Sequence, residues 1–562
     1  MLRERLKRIL REAASLDAGA DFSLDAPPKA EYGDYASNLP LGLAKALGKN
    51  PMSVAEELAA KIFDSAIAKI TIAPPGFLNI TISDDVLASK LERILANPHT
   101  YGNSTEGGGK TVVVEYFQLN TAKPAHIGHL RSAVIGDALK RLLIVFGYNV
   151  VADTHVGDWG TQFGILLYAY KNFGDKTVVE KDPLAELNKL YVLMSQKIEE
   201  DPNLREAAKA EFAKLETGDP ENRKLWEWMS RVSMEKLEDA AKTLGLLSFE
   251  EHKAESTYEE AMPPIVAEAL EKNIAVKKDD GAVAADLSGE NLDEAVLVKS
   301  DGATTYLLRD LATIKHRINH WKSVKNFYVV DNRQSFHFRQ VFRLAELLGW
   351  GGGENIHVAT GFMKLPEGAM STRKGNVILL DEIIALAKKR ASEIIQEKNP
   401  ELANKNEVAH AIAIGALKYF DLSHHRESDI VFRAEEAVSF EGDTGPYLQY
   451  THARLASILR KHGDLELKNF AIRGDAVERE LLAHLIRLPD VIEDAVVASG
   501  PHMLAQYLFH LAKLANNFYH ACPVLTETDE AVKHFRLLLV AATAAVLQRG
   551  LYILGIEAPS EM

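Results

Sequence analysis

The sequence predicts a multidomain α/β protein. A parallel-sheet domain is interrupted by a helical insertion, preceded by an α+β unit and followed by an all-α bundle. Three observations predict it. The run TVVVEYF from Thr111 to Phe117 is β-branched and aromatic enough for a strand buried on both faces, and helical spacing follows it directly. A second strand, turn and helix recurs in SVKNFYVVDNRQSFHFRQVFRLAELLGW. After Pro400 only helical apolar spacing continues, to about Ile556.

Each unit follows in order. Residues 1–105 begin with a helix and end with the strands of KITIAPPGFLNITI, before the polar linker YGNSTEGGGK. The linker's GGGKT resembles the end of a P-loop, but Ser104 stands where the first glycine is required and a strand follows instead of a helix. Residues 106–390 hold the parallel sheet, with the helical insertion at about 166–294, after which AVLVKSDGATTYLLRDLATIKHRI returns to strand and helix. Ligands in such sheets lie beyond the carboxyl ends of the strands. Three strand ends are therefore expected to converge: Asn120 to His129, Tyr306 to Asp310, and Asp331 to His337. Residues 391–440 connect to the bundle, 441–562.

At 562 residues, 47% hydrophobic and 26% charged, the composition is that of a soluble globular protein with room for three or four cores. The lone Cys522 excludes an internal disulfide and a multi-cysteine zinc site, and it suits a cytoplasmic location as a buried, inert thiol. Leu537 to Leu547 reads as a core helix, too short to span a membrane. The amphipathic start MLRERLKRILREAASL has the look of a transit peptide, but Glu4 and Glu12 argue against one. The net charge of −14 does not exclude a nucleic-acid partner, because a local basic track suffices.

The chemistry centres on EYFQLNTAKPAHIGHLRS. Leu130, Val134, Ile135, Ala138, Leu142 and Leu143 define a helix that ends at Gly147. His126 and His129 share one side of its first turn, with Gly128 between them leaving room for a ligand. An isolated pair of this spacing is often a zinc pair or simple surface histidines. Here the helix N-terminus disfavours a cation and attracts an anion such as phosphate.

The stretch AKPAHIGHLRSAVIGDALKRLL, with HVGDWGTQFG after it, resembles the HIGH signature of class I aminoacyl-tRNA synthetases, and arginyl-tRNA synthetases in particular. The short motif is shared with small nucleotidyltransferases, but the resemblance here covers nearly the whole chain. It implies a Rossmann-like catalytic domain and an arginine–tRNA ligase. Such an enzyme uses ATP, with Mg²⁺ bound through it, to form arginyl-adenylate, then passes arginine to the terminal adenosine of arginine tRNA. Catalytic roles are implied for His126, His129, Lys123, Arg373 and Lys374, and ATP contacts for Gly128, Met370 and Ser371 as well as the two histidines. The segment MSTRKGNVILL departs from the family's KMSKS loop. Ala369 replaces the first lysine and Thr372 the second, and Lys123 looks like the substitute cation.

A guanidinium needs carboxylates and neutral acceptors in a fixed planar arrangement. The family's arginine-binding pattern is matched by Glu115, Asn120, His126, Tyr306, Asp310 and Gln334. Asp310 is expected to take the guanidinium beside Tyr306, with Asn120 and Gln334 on the α-amino and carboxyl ends. His155, Asp158, Trp159 and Gln162 either line the path of the tRNA acceptor end or support the sheet. EYGDYASN and PGFLNI resemble the family's extra N-terminal domain, which touches the tRNA elbow, and Tyr32, Phe77 and Asn79 are its candidate RNA contacts. GDTGPYLQYTHARLASIL and the ending GIEAPSEM resemble its helical anticodon-binding domain. Tyr447, Gln449, Tyr450, Arg454 and Asn517 are the candidates there. A monomer without membrane contact is expected, and the alternative reading is a catalytically inactive tRNA-binding paralogue.

Overall fold

Strands Thr111–Glu115, Asn149–Asp153, Lys325–Asp331 and Glu354–Thr360 pair in parallel in the computed structural model, which describes residues 2–364, 379–467, 470, 472 and 475–562. Val112, Val113 and Val114 are all buried, which is why this run shows no polar alternation. In space the sheet runs 354–360, 325–331, 111–115, 149–153. The winding therefore reverses between the two middle strands, where Glu115 lies opposite Tyr328, and a crevice opens above their carboxyl ends.

Helix Ile127–Phe146 leaves from this crevice and packs back along the sheet, with Leu130, Val134, Ala138 and Leu142 buried. The approach is close at Gly136, where an added Cβ would lie 2.2–2.6 Å from atoms of Tyr116. The insertion contributes helices Thr161–Phe173, Pro183–Glu200, Asn203–Glu216 and Pro220–Thr243, which share a core around Leu187, Met194, Leu215 and Met229.

Three expectations need correction. Strand Glu294–Val298 is not in the parallel sheet. It closes a separate antiparallel sheet with Val276–Lys277 and Val283–Asp286, two strands inside the stretch expected to be helical. Its alternating burial is that of a half-exposed antiparallel strand, and the Asp280–Gly281 pair in the preceding hairpin loop was the local signal. Helix Tyr306–His316 consequently follows an antiparallel strand, so only two of the three expected strand ends belong to the parallel sheet. Beyond Pro400 a short strand, Ile430–Val431, does pair, in parallel with Met363–Lys364.

The N-terminal unit is an antiparallel sheet in the order Leu24–Asp25, Tyr35–Ser37, Phe77–Ile82, Ile67–Ala73. It is fastened to the helical bundle by polar side chains. Arg3 reaches Glu493 at 2.6 Å and Asp494 at 2.8 Å, the Tyr35 hydroxyl donates to Asp490 at 2.7 Å, and Arg479 grips Asp34 at 2.9 and 3.0 Å. In the bundle, helix Glu530–Ile553 is long and apolar enough to cross a membrane. It is instead a core helix, with Leu537, Leu538, Leu539, Val540 and Leu547 at or below 1% exposure. Cys522 is buried and its thiol is pushed up to about 11 by that burial, as befits an unreactive side chain.

Gly136→Ala is expected to cost about 1–3 kcal/mol through overpacking against Tyr116. A thermal midpoint equal to that of the parent chain would show that this contact yields freely.

Candidate active site

The turn that follows strand Thr111–Glu115 delivers His126 as the N-cap of helix Ile127–Phe146. Its Nδ1 accepts from the Gly128 backbone N–H at 3.1 Å, and Nδ1 of His129 accepts from the His126 backbone N–H at 3.2 Å. The two histidines thus form a capping box, their rings stacked with centroids 3.7 Å apart. Because both Nδ1 atoms accept, each neutral ring carries its proton on Nε2. Burial, with the Lys123 ammonium nearby, pulls His126 down from 6.5 to about 4, and burial with His126 and Lys123 holds His129 well below the ordinary range. A Cβ at Gly128 would lie 2.9 Å from the His126 ring and displace it from the cap.

A cavity of about 60 Å³ opens on the Asn120–Lys123 turn that leads to the histidines, walled by Asn120, Lys123, Gly157, Tyr191, Glu255 and Tyr306 among others; His126, His129 and Asp310 do not line it. Trp159 and Gln162 also line it. Lys123 places its ammonium 4.5 Å over the Tyr191 ring of the insertion. Tyr306 is 55% exposed at the start of its helix. One turn on, the Asp310 carboxylate is 2.5 Å from His337 Nε2 and 3.7 Å from His155 Nε2. Asp158 accepts from the Ser256 hydroxyl at 2.7 Å and so supports the cavity wall from behind.

Sequence reasoning missed Glu255. It sits in the insertion and nothing in its local pattern distinguishes it from other acidic residues; only the fold brings it to the cavity. Burial pushes its carboxyl up to about 7, against the pull of His155 and of Arg309, whose guanidinium is 3.6 Å away.

Other expected residues stand elsewhere. Glu115 is buried beneath the site and committed to Arg317 at 2.5 Å and Gln118 at 3.1 Å, so it is structural support and not a wall of the cavity. Glu115, Asp153 and His155 come within 4.8 Å of one another, a spacing that suits a metal, but the cation among them is the guanidinium of Arg317. Gln334 is exposed on the turn after strand Lys325–Asp331 and does not line the cavity. Met370, Ser371, Arg373 and Lys374 lie outside the described residues. The described chain resumes at Leu379, which bridges His126 through its backbone.

Among the residues expected to face RNA, Tyr32 is 37% exposed, Phe77 is partly exposed and Asn517 is exposed. Asn79 is buried at 4% in the middle of its sheet and cannot reach a base. Gln449 is likewise fully buried, donating to the carbonyls of Ala411 and Glu557, so its role is to seat the C-terminal tail. Tyr447 receives a hydrogen bond from Asn516 and is packed edge-on against Phe509. A cavity of about 440 Å³ lies nearby, lined by Tyr450, Arg454, Arg460, Lys461, Tyr519 and Met562 among others. There the Arg454 guanidinium lies 4.9 Å from the Tyr450 ring centre and 5.1 Å from that of Tyr519. His424 and His425 are exposed on a turn.

The family model described as tRNA synthetases class I (R), catalytic domain, matches residues 90–434. The chain belongs to the arginyl-tRNA synthetase family. The arginyl-tRNA synthetase N-terminal domain matches residues 1–82, and the DALR anticodon-binding domain matches 448–562. Arginine–tRNA ligase of Fusobacterium nucleatum is 38% identical, with 94% of each chain covered. That of Clostridium botulinum strain Alaska E43 is 37% identical over the whole of both. Among solved structures, Thermus thermophilus arginyl-tRNA synthetase superposes with a TM-score of 0.81 at 26% identity, covering all of both chains.

His126 is neutral in the fold down to about pH 4, whereas the unfolded chain protonates it near 6.5. Its contribution to stability is therefore complete above pH 6.5 and is lost as the pH falls toward 4. Replacement by asparagine, His126→Asn, keeps a capping side chain that does not titrate. The urea midpoint of the parent chain should then fall more steeply than the variant's between pH 6.5 and pH 4; parallel curves would contradict the assignment.

Proposed function

We infer that the chain is an arginine–tRNA ligase. It joins arginine to ATP, giving arginyl-adenylate and pyrophosphate, and transfers the arginyl group to the 3′-terminal adenosine of arginine tRNA. The observation that carries this reading is the two-histidine cap at the end of the turn whose Asn120 to Lys123 wall a small cavity with Glu255 and Tyr306, with Asp310 one helical turn beyond Tyr306. Neutral imidazoles with outward Nε2–H groups, a helix N-terminus and Lys123 suit the oxygens of the α-phosphate and of the departing pyrophosphate. Attack by the arginine carboxylate on the α-phosphate needs no covalent help from the protein. Positioning and charge stabilisation supply the rate. The donors around the histidines are imidazoles and an ammonium, suited to anions, so Mg²⁺ would be held by the ATP phosphates. Asp310 and Glu255 together offer the carboxylate oxygens a guanidinium requires, and Asn120 is available for the α-amino or carboxyl group. Arg373, Lys374, Met370 and Ser371 complete the ATP site in this proposal.

Residues 1–105 would contact the tRNA elbow, with Tyr32 and Phe77 as the accessible aromatic residues, and 441–562 would bind the anticodon. The 440 Å³ cavity supports the latter, since an arginine set between two tyrosines is a platform on which a base can stack. A monomeric working unit is part of this proposal. The single buried thiol suits the cytoplasm.

Arginine-dependent ATP–pyrophosphate exchange, with and without arginine tRNA and with lysine and citrulline as controls, tests the reading. Exchange with arginine alone among the amino acids supports it, whereas tRNA binding without any exchange would replace it by an inactive paralogue. His129→Ala should slow exchange by about 3 kcal/mol of transition-state stabilisation, the scale of one lost oxyanion donor. Asp310→Asn should mainly raise the KM for arginine; an unaltered KM would remove Asp310 from the pocket.

A further inference from the structure

His155 is held in an uncommon way. It follows strand Asn149–Asp153 with φ at +41°, a left-handed backbone that non-glycine residues seldom adopt. The Asp153 carboxylate fixes this turn by accepting from the His155 backbone N–H at 3.1 Å and from that of Lys253 at 3.0 Å. The turn aims the imidazole, 10% exposed, into a ring of carboxylates with Nε2 3.7 Å from Asp310, while Nδ1 is buried without a hydrogen-bond partner.

The charges facing it come from every packed element. Glu115 and Asp153 end neighbouring parallel strands, Asp310 lies on helix Tyr306–His316, and Glu255 opens the turn Glu255–Ala261. Asp158, on the same turn as His155 and within its electrostatic reach, is a fifth carboxyl; against these five stand two guanidiniums, Arg317 on Glu115 and Asp153 and Arg309 beside Glu255, with His337 on the far side of Asp310. Tyr258 supplies an aromatic wall 5.9 Å from the imidazole centre. The site is therefore short of positive charge until a cationic side chain arrives.

We propose that His155 is a positioning residue that, as an imidazolium, stands in for the substrate's positive charge beside Asp310 and gives up its proton to solvent as arginine enters. This rests on the arginine reading above and adds a proton to the binding step. Burial alone would depress the imidazole, but Glu115, Asp310, Asp153 and Glu255 raise its pKa above the usual value. A guanidinium placed against Asp310 competes for the same negative charge, so binding and protonation of His155 oppose each other. Citrulline, shaped like arginine but uncharged, satisfies neither requirement. It would leave the His155 imidazolium beside Asp310 and release no proton.

The test is calorimetric titration of arginine into the full chain in buffers of different ionisation heat from pH 6 to pH 8, which counts protons released. The KM for arginine is followed over the same range. The parent chain should release protons, and His155→Asn, whose side chain tolerates the left-handed backbone, should release about one fewer. The slope of log KM against pH should flatten correspondingly, with kcat changed less than KM. Burial pushes the Glu255 carboxyl up to about 7, into this range, and Glu255 is also one of the charges that raise His155, so Glu255→Gln should reduce the release without abolishing it. Equal proton counts in the parent and His155→Asn would overturn the proposal, leaving His155 as packing against Tyr258. So would an absence of release from the parent, a result that stands even if His155→Asn does not fold. Failure of arginine to bind while another amino acid supports exchange would instead refute the arginine reading itself.

Discussion

One buried cation underlies the site. Arg317, 1% exposed, bridges Glu115 at 2.5 Å and Asp153 at 2.9 Å, the last residues of two adjacent parallel strands. Two carboxylates side by side at a sheet's edge would repel each other and carry a desolvation penalty of several kcal/mol per ion if left unpaired. A single guanidinium, lying 4.9 Å from the centre of the Tyr328 ring, pairs with both, cancels one of their two charges and ties the strands where their loops depart. From one strand end rises the turn that carries Asn120 and the histidines; from the other rises the turn that carries His155 and Gly157. Those turns meet again at the Asn120 and Gly157 bridge, where a side chain on Gly157 would lie 2.8 Å from the Asn120 oxygen.

On this base the two histidines serve the fold and the chemistry with different atoms. Each uses Nδ1 in the capping box, which leaves Nε2 outside the cap and available to the proposed phosphate contact. Burial, with the Lys123 ammonium nearby, favours the neutral form of both rings. The cap also orients the helix dipole toward the crevice, so the capping geometry and the proposed phosphate contact would have the same origin.

Legibility followed the range of the forces. The buried strand Thr111–Glu115, the helix from Ile127 to the left-handed Gly147 and the core helix Glu530–Ile553 were readable because apolar spacing records burial locally. The strand Glu294–Val298 was readable as a strand but not as a member of another sheet, since pairing partners are chosen across the chain. Gln449 and Asn79 looked like RNA contacts by motif, and both are buried by segments distant along the chain: Gln449 donates to the carbonyls of Ala411 and Glu557, and Asn79 lies between two flanking strands. Glu255 had no local signature at all.

The amino-acid order by itself determined the class of fold, the helix that presents His126 and His129, and the family to which the chain belongs, because short-range periodicity and contiguous motifs encode them. Tertiary structure alone decided which carboxylates face the cavity and which are withdrawn. Glu115 is consumed by Arg317, 202 residues away along the chain, while Glu255, from an insertion with its own core, becomes part of the wall. Desolvation and charge pairing act through space, and a residue's electrostatic surroundings are set only when distant segments pack against it.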